Sequence, residues 1–210
     1  MLDRKIKIGV IDLKINNIQS IVNAYKIIGC NVKIINKPEK LKSYNLIVLP
    51  GVGAFKNAKK SLMSSGLETE IKEFVSLNQN KILFGICLGM QLFFEKSYEF
   101  GEISGMKLIK GEVKKFNNKI CETIPHMSWN KISLKKKDKK FEKFSNKDFY
   151  FVHSYYCQPK DKKNILFTTS HQKFNFCSGV KVNNIFGVQF HPEKSGKHGI
   201  NFLKSINKFI

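Results

Sequence analysis

The stretch Lys81-Ile82-Leu83-Phe84-Gly85-Ile86-Cys87-Leu88-Gly89-Met90-Gln91-Leu92-Phe93-Phe94 changes pattern in its middle. Lys81 to Ile86 is a short apolar run of the kind that forms a buried strand, and Leu88 to Phe94 restarts at helical spacing. The junction reads G-x-C-x-G. This is the cysteine form of the G-x-S-x-G nucleophile elbow, in which the nucleophile takes a strained backbone position and the flanking glycines leave room for the turn. The helix that follows aims its N–H groups and the positive end of its dipole at the sulfur, which favours a thiolate. The Leu88 N–H is placed to donate to an oxyanion. A free cysteine is often merely buried. Strand, turn, both glycines and helix in register favour a nucleophile at Cys87 over a structural thiol.

The rest of the chain repeats the strand-then-helix order. Ile6 to Ile11 is an apolar run ending at Asp12. Asn17 is placed to cap a helix whose Ile18, Ile21, Val22 and Tyr25 recur on one face, with Gly29 as its stop. Val32 to Ile35 is β-rich. Leu46 to Leu49 is a further apolar run, followed by Pro50-Gly51-Val52-Gly53 and a helical stretch to about Asn78 that breaks near Gly66. Short buried strands alternating with helices predict βαβ units and a parallel sheet. After Gly101, β-rich pieces appear near 107–116, 149–153, 165–169 and 185–190, and a last helix is predicted over Gly196 to Phe209. With no linker and no repeat, the reading is one α/β domain over 1–210, its second half adding strands to the sheet of the first.

A cysteine nucleophile needs a base, and the base an orienting group. His191-Pro192-Glu193 follows the apolar run Phe186 to Phe190, and a strand end delivers side chains to the carboxyl edge of a sheet, where the elbow also lies. His191 there takes the thiol proton and Glu193 holds the imidazole in its tautomer. An isolated His at a strand end is usually an ordinary hydrogen-bonded one; the order Cys, His, carboxylate is what singles this one out. The Gly51-Val52-Gly53 loop reads either as an ordinary βα turn or as a source of backbone N–H groups facing a ligand. The G-x-x-x-x-G-K-[ST] spacing of a phosphate loop is absent, and a second oxyanion donor beside Cys87 fits acyl transfer better.

Charge offers a competing reading. The 210 residues carry 37 Lys+Arg against 16 Asp+Glu, a net charge of +21, with 42% apolar residues, so general disorder is excluded. Nucleic-acid binding is weakened by Arg4 being the only arginine, because Arg is the side chain suited to bidentate phosphate and guanine contacts. Lys, Ile, Asn and Phe are all abundant together, the mark of a compositional bias. The densest basic stretch, Lys131 to Lys147, has eight lysines against Asp138 and Glu142; it reads as a solvated surface segment or as the seat of an acidic partner. No apolar run approaches the roughly 18–20 residues of a membrane span. The N-terminus lacks a signal-peptide pattern, and Cys30, Cys87, Cys121, Cys157 and Cys177 form no C-x-x-C pair. The expected setting is reduced and cytoplasmic, with no membrane and no nucleic acid.

Taken together, Pro50-Gly51-Val52-Gly53, the 85–91 elbow, Pro125-His126-Met127-Ser128-Trp129-Asn130, Tyr150-Phe151-Val152-His153-Ser154-Tyr155 and Phe186 to Ser195 resemble the class I (triad) glutamine amidotransferases. Within that class the 125–130 and 150–155 segments are most similar to the glutaminase subunits of imidazole glycerol phosphate synthase. The resemblance implies a flavodoxin-like α/β fold with a central mostly parallel sheet, helices on both faces and extra strands in the C-terminal half. It implies glutamine as substrate, Cys87, His191 and Glu193 as the triad, and an oxyanion site from Leu88 and, after a backbone adjustment, Gly51, Val52 and Gly53. Gln91, Glu99, Ser154 and Tyr155 match positions that hold the glutamine, although Glu99 also reads as a plain helix-end carboxylate. No cofactor and no metal are implied. The implied partner is a (β/α)8-barrel cyclase subunit in a heterodimer, which uses the ammonia to make imidazole glycerol phosphate and an aminoimidazole carboxamide nucleotide in histidine biosynthesis. His126, Trp129, Asn130 and Lys194 match the interface side. Without the resemblance, the single Trp reads equally as a binding anchor or a buried core residue.

Two segments depart from the family pattern. Ser128 stands where glycine is usual, and Asp12-Leu13-Lys14-Ile15-Asn16-Asn17 replaces Asp-Tyr-Gly-x-Gly-Asn, so both glycines are lost at Lys14 and Asn16. Both lie on the interface side, which opens a second expectation: a paralogous glutaminase supplying ammonia, with a cyclase-like barrel, for sugar amidation in surface-polysaccharide synthesis. A Lys-rich nucleic-acid-binding module and a catalytically dead homologue are the remaining alternatives.

Overall fold

A computed structural model describes residues 6–15, 17–38, 41–77 and 80–209; Asn16 and Asn78 lie outside them. The chain opens with β1 (Lys7–Ile11), α1 (Gln19–Ile27), β2 (Asn31–Ile35) and β3 (Leu46–Gly51). The paired helices α2 (Phe55–Ser64) and α3 (Leu67–Leu77) follow, separated at Gly66 as the sequence indicates. The elbow is β4 (Ile82–Cys87) and α4 (Leu88–Gln91). The strands β5 (Phe94–Ser97), β6 (Ile103–Ser104), β7 (Ile109–Lys115), β8 (His126–Lys131), β9 (Ser133–Leu134) and β10 (Asp148–His153) come next. The chain closes with β11 (Tyr155–Pro159), β12 (Ile165–His171), β13 (Phe174–Val182), β14 (Ile185–Val188) and α5 (Gly196–Asn207).

The sheet is ordered β2-β1-β3-β4-β14-β13-β11-β7-β5-β6, with β12 and β9 extending from β13. The run from β2 to β14 is parallel throughout. Beyond it the pairings are antiparallel except β5 with β7. Thus β14, from the end of the chain, pairs directly with β4 and sets the His191 segment beside Cys87. Every residue of β3, β4 and β14 is buried, as expected for parallel strands covered on both faces. On one face Ile21, Val22 and Tyr25 of α1 pack with Phe202, Leu203 and Ile206 of α5. On the other, Phe55, Ala58 and Leu62 of α2 pack with Leu67, Ile71 and Phe74 of α3.

Three expectations need correction. The helix after the elbow is one turn long: Phe94 starts β5, because Phe93 and Phe94 are drawn into the core between sheet and helices rather than onto one helical face. Asn17 is not the N-cap of α1; the capping position is Ile18, and the Asn17 carboxamide oxygen accepts from the Gln19 N–H at 2.8 Å one residue early. The second half does extend the sheet, but β8 and β10 form a separate antiparallel ribbon.

The basic stretch is fastened from below. Ile132, Phe141 and Phe144 are buried, and Phe141 stacks on Phe202 and Phe209. Each such side chain contributes about 1.5–3 kcal/mol by its burial. Seven of the eight lysines from 131 to 147 are exposed, which matches a solvated surface. Among the described residues no helix is long and apolar enough to cross a membrane.

Candidate active site

Cys87 ends β4 with φ 53° and ψ −110°, well outside the small left-handed region open to L-residues. The sequence explains how the turn tolerates this. A Cβ on Gly85 would lie 2.6 Å from the Phe93 ring and 2.7 Å from the Met90 nitrogen, and one on Gly89 would overlap the Leu49 carbonyl. Both glycines are therefore required by close approach, of α4 to its own strand and of α4 to β3. The thiol is 5% exposed. The Gln189 side-chain amide donates to its sulfur at 3.4 Å.

His191 follows β14, and its backbone N–H donates to the Tyr150 carbonyl at 2.9 Å. Pro192–Lys194 forms a 3-10 turn, which brings Glu193 back under the imidazole. His191 Nδ1 donates to Glu193 Oε1 at 2.8 Å, with both side chains nearly buried. Burial disfavours the imidazolium, but the Cys87 sulfur and the Glu193 carboxylate outweigh burial and push the His191 pKa up to about 10. By distance and angle Nε2 closes no hydrogen bond with any described residue, and the Cys87 sulfur is the foremost group raising the imidazole's pKa.

A cavity of about 430 Å³ opens onto the sulfur. Its lining includes Val52, Gly53, Leu88, Gln91, Glu99, Ser154, Tyr155 and Lys194, so eight further expected site residues meet at one place. Gly51 is the ladder partner of Cys87, which puts the Gly51–Gly53 loop against the elbow. Gly53 takes φ +104°. The Gln91 amide donates to the Tyr155 carbonyl and to Gln189 Oε1, both at 3.1 Å. Glu99, in the turn after β5, lines the cavity, and its carboxylate accepts the Phe55 N–H at 2.7 Å at the start of α2. Burial raises its pKa, and that hydrogen bond opposes the rise.

The expected interface residues separate into two kinds. In β8 the side chains alternate, so Met127 and Trp129 are 60% and 53% exposed while His126 is fully buried. Trp129 therefore offers an accessible aromatic, edge-on to Tyr150 at 5.9 Å, and Lys194 reaches over that same Tyr150 ring from the cavity rim. His126 instead stacks between Phe151 and His171, and burial lowers its pKa to about 4. Its ring cannot touch a partner directly. It bonds to His153, whose Nδ1 donates to the Tyr155 carbonyl at 2.8 Å. At the outer end His126 Nε2, left without a proton by the bond to His153, lies 3.3 Å from Asn130 Oδ1, which accepts from Ser128 at 2.5 Å. Lys14 keeps a left-handed φ of 56°, the conformation a glycine would favour there.

Sequence reasoning assigned no role to Gln189 or His153. Gln189 had a signal, a lone amide inside the apolar run Phe186 to Phe190. His153 had none, since only the pairing of β8 with β10 brings it opposite His126.

A thiol on an elbow, an imidazole tied to a carboxylate and glycine-rich backbone beside the sulfur are the parts that cysteine acyl transfer needs. The chain belongs to the class I glutamine amidotransferase family, whose model matches residues 9–207. It is 42% identical over 204 residues to the imidazole glycerol phosphate synthase subunit HisH of Carboxydothermus hydrogenoformans, covering 96% of this chain and 98% of that one. It is 41% identical over 201 residues to subunit HisH 1 of Campylobacter jejuni, covering 94% and 98%. Among solved structures, PurLQS from Thermotoga maritima superposes with a TM-score of 0.76 at 21% identity, covering 98% of this chain and 99% of that one. At that identity the likeness concerns the fold.

Proposed function

We propose that this chain is the glutaminase subunit of an imidazole glycerol phosphate synthase, hydrolysing glutamine and passing the ammonia to a (β/α)8-barrel cyclase subunit in a heterodimer. The observation that carries the chemistry is the His191–Glu193 pair, 2.8 Å apart, beside a thiol held at φ 53°. Cys87 Sγ, its proton already passed to His191 Nε2, attacks the side-chain amide carbon. The tetrahedral oxyanion accepts hydrogen bonds from the Leu88 N–H and the Gly51–Gly53 backbone. As the intermediate collapses, the C–N bond breaks, His191 protonates the departing nitrogen, and ammonia leaves a thioester on Cys87. His191 then deprotonates a water, which attacks the thioester to release glutamate and restore the thiol. Gln91, Glu99, Ser154 and Tyr155 hold the amino-acid end of the substrate, and no cofactor or metal is required.

The names of the relatives support the histidine-pathway partner, as does the exposed Met127–Trp129 face near Lys194 on the cavity rim. A second reading, a paralogous subunit feeding a sugar-amidation pathway, rests on Ser128 and Lys14. It shares the chemistry and changes the partner.

Glutamate production by the purified chain, alone and with the histidine-pathway cyclase and its nucleotide ligand, tests both. Strong stimulation is expected, because partner binding completes the oxyanion loop. No stimulation by a competent cyclase favours the second reading. Full activity of the chain alone overturns the coupling. Cys87→Ala abolishes hydrolysis while leaving partner binding intact; retained hydrolysis removes Cys87 from its role.

A further inference from the structure

Beneath the triad lies a polar cluster that the reaction as described does not use. Tyr25 of α1 is 0% exposed, and its hydroxyl has no hydrogen-bond partner among the described residues. The same holds for the second Glu193 oxygen, Oε2, and for Asn207 Oδ1 near the end of α5. Tyr25 and Glu193 are neighbours through their elements, whereas Asn207 ends the twelve-residue α5, about 18 Å along the helix from the turn that carries Glu193. Both α1 and α5 pack on the 3-10 turn that carries Glu193. The Asn207 amide donates to the Cys30 sulfur at 3.2 Å. Burial first, then Cys30 and Glu193, push the Tyr25 phenol well above its ordinary range. It therefore stays protonated and remains a donor.

The donor and acceptor inventory decides what the cluster does. Oε2 of an ionised Glu193 and Oδ1 of Asn207 only accept, and the Asn207 amide is already engaged by Cys30. The Tyr25 hydroxyl is the one unpartnered group among the three with a proton to give. A buried water between Tyr25 and Glu193 would accept from the hydroxyl and donate to Oε2.

We propose that Tyr25 is a positioning residue for the triad, its hydroxyl fixing, through one buried water, the Glu193 oxygen that His191 leaves unused. A carboxylate gripped at Oε1 alone can rotate about its terminal bond. One gripped at both oxygens holds the imidazole in a single orientation toward Cys87. This inference rests on Glu193 serving as the orienting carboxylate.

The test is a kinetic cycle of Tyr25→Phe, Glu193→Gln and the double variant, measured as glutamate production in the partner-stimulated complex. Tyr25→Phe removes one oxygen and keeps the buried ring. The expected result is a loss in kcat of about tenfold, the scale of one hydrogen bond to a charged group, with the KM for glutamine unchanged. In the Glu193→Gln background the same substitution is expected to cost nothing further, because the group it acts through is gone. A purely structural Tyr25 would give equal losses in both backgrounds, which overturns the proposal, as does wild-type kcat in Tyr25→Phe. If Glu193→Gln alone leaves kcat unchanged, the triad reading itself fails and the proposal falls with it.

Discussion

The backbone at Cys87 makes a prediction about stability that is separate from activity. Compare Cys87→Ala with Cys87→Gly, both expected to be inactive. At a relaxed buried position glycine is the less stable of the two by about 1.5 kcal/mol, from the buried methyl group and the extra freedom of the unfolded glycine chain. At φ 53° and ψ −110° a side chain carries strain that glycine does not, on the order of 1–3 kcal/mol. The strain offsets the ordinary penalty, so glycine is expected to match alanine or exceed it by about 0.5 kcal/mol. The strained and relaxed cases differ by about 2 kcal/mol, or roughly 4–8 °C in Tm for a chain of this size. Thermal unfolding of both variants measures this directly. Ala58→Gly in α2, which is buried and relaxed, calibrates the ordinary penalty. A Cys87→Gly protein melting 4 °C or more below Cys87→Ala would refute the strain argument.

Gly89→Ala is expected to cost about 2–4 kcal/mol and most of the hydrolysis rate, since its Cβ overlaps the Leu49 carbonyl and must drive α4 off β3; calorimetry and a glutaminase assay check it. His191 is held near pKa 10 by Cys87 and Glu193 against burial, so NMR titration of its ring should show a lower pKa in Cys87→Ala. Because the folded pKa is raised, the stability this imidazolium contributes is fully present below its unfolded value of about 6.5 and is lost as pH rises through about 10. The decline in Tm over that window should therefore be shallower in Cys87→Ala; identical slopes would remove Cys87 from the cause. Trp129→Ala, at a 53% exposed site, is expected to leave Tm within about 1 °C and weaken cyclase binding by about 2 kcal/mol or more, measured by titration calorimetry; unchanged affinity would move the interface elsewhere.

Much of this architecture was legible because its signals are local. The elbow is written in two glycines around one cysteine, and the parallel strands in short apolar runs, since strands covered on both faces have no polar side to alternate. The single-turn length of α4 was not legible. Leu88 to Phe94 carries helical spacing, and only the surrounding core decides that Phe94 enters a strand. The burial of His126 was hidden for the same reason, as its environment of Phe151, His153 and His171 comes from segments up to 45 residues away. Trp129 was ambiguous in sequence and is resolved by alternation: two strands of a ribbon give each residue one face, and Trp129 takes the outer one.

That same alternation gives the ribbon a physical means of linking an exterior face to the substrate cavity. Its outer face presents Met127 and Trp129. Its inner face presents His126, which bonds to His153, which holds the Tyr155 carbonyl. That carbonyl also accepts from Gln91 at the cavity wall. A partner that shifts β8 against β10 must therefore move a chain of buried hydrogen bonds ending beside the substrate, and buried polar groups do not slide without breaking and remaking their bonds. Ser128 donates to Asn130 beside the outer edge of the His126 ring, a hydroxyl constraint that a glycine at this position would not supply. The ribbon in this protein is tied down at Ser128, so Ser128→Gly is the substitution through which a difference in coupling to the partner would show.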